Sequence, residues 1–243
     1  MARCLSLPPA RDLAAALRAG PKPAVIAEVK RASPSAGSIA AGADPRTQAA
    51  AYQAAGAAAV SVLTEPLHFD GSLADLRSVH LVTTLPVLRK DFLVHPSQLM
   101  EARAAGADAA LLIAAALSAS ELSAMVATAD DLGLAVLVEA HGDDDLDRAL
   151  ESGATVLGVN ARDLESLDVD ERRALELLRR VPPDRIRVFE SGISSREQVE
   201  RAVDAGADAV LVGEALMRAS DPGATLRWLR GETADPREHP HAD

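Results

Sequence analysis

Four stretches of this 243-residue chain repeat one short pattern: Gly56-Ala57-Ala58-Ala59-Val60-Ser61-Val62, Gly106-Ala107-Asp108-Ala109-Ala110-Leu111-Leu112, Gly153-Ala154-Thr155-Val156-Leu157-Gly158-Val159 and Gly206-Ala207-Asp208-Ala209-Val210-Leu211-Val212. In each, a glycine of the kind that ends a helix leads into an apolar run suited to a strand buried on both faces. The glycines are spaced by 50, 47 and 53 residues. A second family of apolar runs falls between them, at Ala24 to Val29, Pro86 to Arg89, Leu134 to Glu139 and Arg185 to Glu190. Helical patterns occupy intervals such as 97–105, 118–131, 143–152, 169–179 and 195–205, and Asp44-Pro45 opens another, ending near Ala55. Two strand types alternating four times make eight strands between helices, a parallel sheet covered on both faces. At this length the pattern predicts an α/β protein built as a single (β/α)8 TIM barrel. A doubly wound open sheet is the competing fold, and the near-regular fourfold period disfavours it. The predicted organisation is a short N-terminal segment, 1–23, with a helix from Leu13 to Ala19 before strand 1; the barrel, 24–230; and a polar tail, 231–243, expected to be disordered.

In such a barrel the reactive groups collect at the C-terminal ends of the strands. The stretch Leu85-Pro86-Val87-Leu88-Arg89-Lys90-Asp91-Phe92 has the form this requires. Its apolar run stops at three consecutive charges, which can be buried together only if they are paired. By itself this is also the pattern of a strand entering a solvated turn. The other strand ends repeat it: Glu28 and Lys30 on the first strand, Glu139 on the fifth, Asn160-Ala161-Arg162-Asp163 on the sixth, Glu190-Ser191-Gly192 on the seventh and Gly213-Glu214 on the eighth. Lysines and glutamates converging on one mouth point to general acid–base chemistry, each group tuned by burial and by its oppositely charged neighbour. Ser191-Gly192 and Gly213-Glu214 follow the strands after which this fold commonly builds a phosphate cradle.

Composition removes several function classes. A net charge of −11 with no block of Lys or Arg argues against nucleic-acid and membrane-surface partners. Aromatic residues at 2 % leave no base-stacking platform. Cys4 is the lone cysteine, and the histidines at 68, 80, 95, 141, 239 and 241 lack metal-ligand spacing. No metal site is expected, and no dinucleotide fingerprint is present. His239 and His241 are expected to be solvated. The longest uninterrupted apolar run, Ala109 to Leu117, is too short to span a bilayer. Met1 to Ala10 lacks a signal-peptide core, so a cytoplasmic location is expected.

Six collinear motifs carry a family resemblance: Ala27-Glu28-Val29-Lys30-Arg31-Ala32-Ser33-Pro34-Ser35, Leu88-Arg89-Lys90-Asp91-Phe92, Leu137-Val138-Glu139, Gly158-Val159-Asn160-Ala161-Arg162-Asp163-Leu164, Glu190-Ser191-Gly192-Ile193 and Leu211-Val212-Gly213-Glu214. In order and spacing, from about Arg11 to Leu229, the chain resembles the indole-3-glycerol-phosphate synthase family. The resemblance implies ring closure of 1-(2-carboxyphenylamino)-1-deoxyribulose 5-phosphate to indole-3-glycerol phosphate, with loss of CO2 and water, without a cofactor. It implies Lys90 as the general acid, Lys30 as a second lysine, Glu139 as base or acid–base partner, Glu28 as the group that holds and tunes the lysines, and Asn160 against substrate hydroxyls. By the same matching, Ser33, Ser191, Gly192, Gly213 and the Glu214 backbone hold the phosphate. Phe69, Phe92, Leu111 and Leu164 line the aromatic pocket, Arg162 meets the carboxylate or the ring, and Glu190 lies with the substrate-binding groups. For Leu111 and Leu164, plain core packing is an equal reading, and the order in which the two lysines act stays open. The partner implied is a phosphorylated small molecule, with at most weak association with other enzymes of the tryptophan pathway. Two departures from the family stand out: a shorter N-terminal segment, and Ala36 where relatives often carry Lys or Gly. Other chemistry on the same scaffold, a phosphosugar isomerase or a lysine Schiff-base aldolase, is the first alternative. A silent barrel serving as a partner subunit is the second, and it is disfavoured by the presence of Lys90, Glu139 and Asn160.

Overall fold

A computed structural model describes residues 7–164 and 166–237. Cys4, His239 and His241 lie outside the described residues. Eight parallel strands close into a barrel: β1 (Ala24–Val29), β4 (Ala59–Leu63), β5 (Val87–Lys90), β6 (Ala109–Ile113), β7 (Ala135–Ala140), β8 (Val156–Asn160), β9 (Ile186–Glu190) and β10 (Ala209–Val212), with β10 paired back onto β1. A small antiparallel ribbon, β2 (Ala32–Ser33) with β3 (Gly37–Ser38), stands in the first loop above the mouth. The predicted barrel is thus the observed one. The third barrel strand runs one residue later than the apolar pattern suggested, because Pro86 has no N–H and offers only its carbonyl, to Val60.

Side chains alternate along each strand. Val25, Ala27, Val60, Val62, Ala110 and Leu112 point outward into a core shared with the helices. Ile26, Leu88, Leu111, Leu137, Val156, Val188 and Leu211 point inward and fill the barrel. The lower end is plugged by α1 (Leu13–Arg18), whose Leu13 and Leu17 belong to that inner cluster and are fully buried. Counting two residues up from the inward layer places Glu28, Lys90, Glu139, Gly158, Glu190 and Gly213 in the next layer. One step of strand periodicity turns a packed hydrocarbon core into a floor of charge.

The repeated Gly-Ala-Asp-Ala units do a further job at the lower end. Asp108 accepts the Val87 N–H at 3.0 Å and the Arg11 N–H at 2.8 Å, while the Arg11 guanidinium donates to the carbonyls of Leu85 and His80. Asp208 likewise accepts the Arg187 N–H at 3.0 Å and pairs with Lys22. The Asp108 side chain therefore ties the segment ahead of α1 to the start of a barrel strand. Asp108→Ala leaves a buried N–H at Val87 and the Arg11 amide unpaired, and a loss of about 1–3 kcal/mol in urea unfolding is expected; an unchanged midpoint would show that water replaces the carboxylate at no cost.

The part of the polar tail within the described residues folds back, with the Arg237 guanidinium 4.3 Å from the centre of the Trp228 ring. Residues 238–243 lie outside the described residues. Among the described residues, no helix is long and apolar enough to cross a membrane.

Candidate active site

The barrel mouth holds a cavity of ~680 Å³, and every residue singled out in the sequence as a site candidate lines it. The consecutive charges Arg89-Lys90-Asp91 are resolved by strand alternation. Lys90 points into the barrel. Arg89 points outward and is buried by pairing, donating to Thr64 Oγ1 at 3.1 Å, to Asp91 Oδ2 at 2.9 Å, to Glu101 at 2.9 Å and to the Gln98 carbonyl at 3.0 Å. This network clamps the end of the strand that carries Lys90.

On the cavity floor, Lys90 Nζ lies 3.0 Å from Glu139 Oε2 and 3.4 Å from Glu190 Oε2. Lys30 Nζ lies 3.0 Å from Glu28 Oε1, and Ser61 donates to Glu28 Oε2 at 3.4 Å. Glu28 was expected to hold both lysines. In the structure its direct ion pair is with Lys30, and the pairing of Lys90 falls to Glu139 and Glu190. Asn160 donates to Glu139 Oε1 at 3.0 Å and accepts the Arg162 N–H at 2.9 Å. Burial works against charge on Lys90, but Glu139, Glu190 and Glu28 outweigh it and hold the ammonium well above its ordinary pKa. Burial likewise works against charge on Glu139, where Lys90 and the Asn160 amide prevail and hold the carboxyl below its usual range.

Two glycines make this packing feasible. A Cβ on Gly158 would stand 2.0 Å from Glu190 Oε1, and one on Gly213 would stand 2.4 Å from Glu28 Oε1. A glycine inside a strand often marks such a close approach.

The walls differ in character. Phe69 and Phe92 face one another with ring centres 6.4 Å apart and an interplanar angle of 51°. Leu111 is buried on the inner face below them, while Leu164 and Phe92 are a little under half exposed at the rim. Arg162 Nη1 donates to the Leu167 carbonyl at 2.7 Å, bracing the loop after β8. On the opposite side, Ser191 and Gly192 are consecutive left-handed residues, with φ of 71° and 75°. For serine that conformation costs about 1–2 kcal/mol, and such strain gathers at ligand clamps. The Ser33 hydroxyl accepts the Ala36 N–H at 3.2 Å and thereby closes the tip of the first-loop ribbon. Glu214 is paired with Arg218 at 2.9 Å.

Sequence reasoning missed Ser61, Gly158, Glu65, His68, His141 and Arg218. Ser61 was readable in principle, since it sits two residues above the inward Ala59. His141 carried no signal. Its Nδ1 lies 2.9 Å from the Asn160 carbonyl and its Nε2 3.2 Å from Asp163, so it bridges the ends of β7 and β8. Glu65 and His68 line the cavity, with Glu65 accepting the N–H groups of Leu67 and His68. Their loop follows the second barrel strand, whose end bears no lysine or arginine to draw notice.

Comparison with known proteins agrees with this geometry. The family model for indole-3-glycerol phosphate synthase matches residues 2–229. The chain is 48 % identical over 235 residues to the indole-3-glycerol phosphate synthase of Rhodococcus opacus, covering 97 % of this chain and 87 % of that one. It is 51 % identical over 227 residues to the enzyme of the same name from Micrococcus luteus, covering 92 % and 85 %. Among solved structures, a 3-hexulose-6-phosphate synthase superposes with a TM-score of 0.69 at 17 % identity, over 87 % of this chain and 100 % of that one, a likeness of fold alone. A family match over nearly the whole chain, with relatives at about half identity of similar length, settles the assignment: the chain belongs to the indole-3-glycerol phosphate synthase family.

Proposed function

We propose that the charged floor carries out the family's reaction as follows: the ring of 1-(2-carboxyphenylamino)-1-deoxyribulose 5-phosphate closes onto the ketone carbon, CO2 leaves, and water leaves. The carrying observation is Lys90, buried, cationic and gripped by Glu139 and Glu190. As the anilino ring attacks, negative charge gathers on the ketone oxygen, and Lys90 protonates it. Glu139, held ionised by Lys90 and Asn160, takes the proton lost in the dehydration. Lys30, paired with Glu28, sits where a second cation can meet the leaving hydroxyl or the phosphate. Asn160 fixes Glu139 and contacts substrate hydroxyls, and Glu190 faces the same groups from the next strand.

The aromatic ring lies against Phe69 and Phe92, over Leu111 and beside Leu164, with its carboxylate toward Arg162. The phosphate takes the other wall, against Ser33, Ser191, Gly192, Gly213 and the Glu214 backbone. This division is supported by the apolar character of the one wall and the small, left-handed backbone of the other. The reading extends to a cytoplasmic enzyme that forms at most weak contacts with others of the tryptophan pathway.

A Schiff-base aldolase needs a neutral lysine amine as its nucleophile, whereas the carboxylates around Lys90 hold it charged. Borohydride added during turnover is therefore expected to leave the protein unmodified, while CO2 and indole-glycerol phosphate appear in equal amounts. Covalent trapping at Lys90, or CO2 without indole, would count against the assignment.

A further inference from the structure

Five ionisable side chains crowd the cavity floor, and they do not balance. Lys30 takes Glu28, and Lys90 takes Glu139, each at 3.0 Å. Glu190 is left with a share of Lys90 at 3.4 Å, its side chain is 1 % exposed, and neither of its oxygens receives a hydrogen bond. The groups that face it are Lys90 of β5, Glu139 of β7 with Asn160 of β8 behind it, and Glu28 of β1 with its partner Lys30 just past the strand end. Two cations among three carboxylates leave one negative charge unmatched. A buried, unmatched carboxylate is far more costly than a buried carboxylic acid. The anionic substrate, arriving with phosphate and carboxylate, sharpens that imbalance. Gly158 reserves the space in which the Glu190 carboxyl sits, since any Cβ there would collide with it.

We propose that Glu190 rests as the neutral acid and supplies, through Lys90, the proton that each turnover consumes. This rests on the ring-closing reading above. The proton balance of that reaction requires a source. Forming the new carbon–carbon bond puts a proton on the ketone oxygen. Breaking the bond to the carboxylate releases neutral CO2, its electron pair returning to the ring. The carbon beside nitrogen then gives up one proton, and the hydroxyl takes one to depart as water. Two protons go in and one comes out, so one is taken up from solvent per turnover. Lys90 donates to the ketone oxygen, the Glu190 O–H restores the ammonium, and the Glu190 carboxylate is reprotonated from water as product leaves. Burial, with the help of Glu139 and Glu28 and against the pull of Lys90, pushes the Glu190 carboxyl up to about 8, so the acid form persists at neutral pH.

The test is the pH dependence of kcat/KM in the wild type and in Glu190→Gln, which keeps shape and neutrality but cannot release a proton. The wild-type kcat/KM, which reports the substrate-free site, should fall on the alkaline side near pH 8, where Glu190 ionises. Glu190→Gln should lower kcat by ~100-fold or more, lose that alkaline limb and leave KM little changed. A variant with wild-type rate and the same alkaline limb would overturn the proposal. Infrared titration of the resting wild type is independent of turnover and of the variant's folding. It should show the carbonyl band of an un-ionised carboxyl group that disappears near pH 8, and its absence at neutral pH would overturn the proposal as well. If the wild type made no indole while this band was present, the ring-closing reading would fail and the protonation of Glu190 would stand.

Discussion

Lys90→Ala lowers kcat for indole-glycerol phosphate formation by ~100-fold or more, the low end for a positioned general acid, while KM moves little. The variant still folds. Removing the ammonium leaves Glu139 and Glu190 adjacent and without a cation, but Glu190 already carries a proton and Glu139 can take one up rather than remain a buried anion. The substitution thus abolishes proton delivery and also the force that keeps Glu139 ionised as a base, so the loss should exceed that of either role alone. Lys90→Arg separates charge from chemistry. A guanidinium preserves the positive charge but does not give up its proton, so it is expected to be nearly as inactive as alanine. Steady-state kinetics with circular dichroism on both variants checks this. An active arginine variant would mean that Lys90 acts as a fixed charge and that the acid lies elsewhere.

Gly158→Ala should damage the site without touching any ionisable group. The new Cβ meets Glu190 Oε1 at 2.0 Å and Leu137 Cδ1 at 3.3 Å. Glu190 must swing away from Lys90 into the cavity, and the crowding against Leu137 is expected to cost about 1 kcal/mol of stability, the low end for an overpacked site. Displacing a catalytic constellation by an ångström costs on the order of 100-fold in rate, so kcat should fall by a similar factor. Urea unfolding and kcat measured on one preparation distinguish the two effects. A stable variant with full activity would show that Glu190 can leave its place without consequence.

The architecture was largely legible because it repeats. Four glycine-led strands alternating with four others leave few ways to build a parallel sheet, and the strand ends then list the mouth in order. The first strand, Ala24–Val29, was read to the residue, since the apolar run and the ladder there coincide. What stayed hidden depends on distances across the barrel. That Lys90 meets Glu139 and Glu190 rather than Glu28 follows from strand stagger around a closed sheet, a property of no single segment. The need for glycine at 158 follows from the same convergence, because its partner Glu190 lies on the neighbouring strand, paired through Gly158 with Val188 and Asn160 with Glu190. His141 was silent for a related reason. Its two ring contacts are a backbone carbonyl and a carboxylate on the next loop, and neither leaves a spacing in the chain. The fold of the tail onto Trp228 was masked by composition, since one arginine stacking on one indole has no pattern to find.

Ring closure by Lys90 is tested most directly by indole fluorescence after mixing the purified protein with the carboxyphenylamino-deoxyribulose phosphate, without added metal, alongside Lys90→Ala. A rise in indole signal is expected with the wild type, matched by CO2, and almost none with the variant. Indole formed equally fast by both would remove Lys90 from the chemistry. No indole from either would detach this charged floor from the ring-closing reaction.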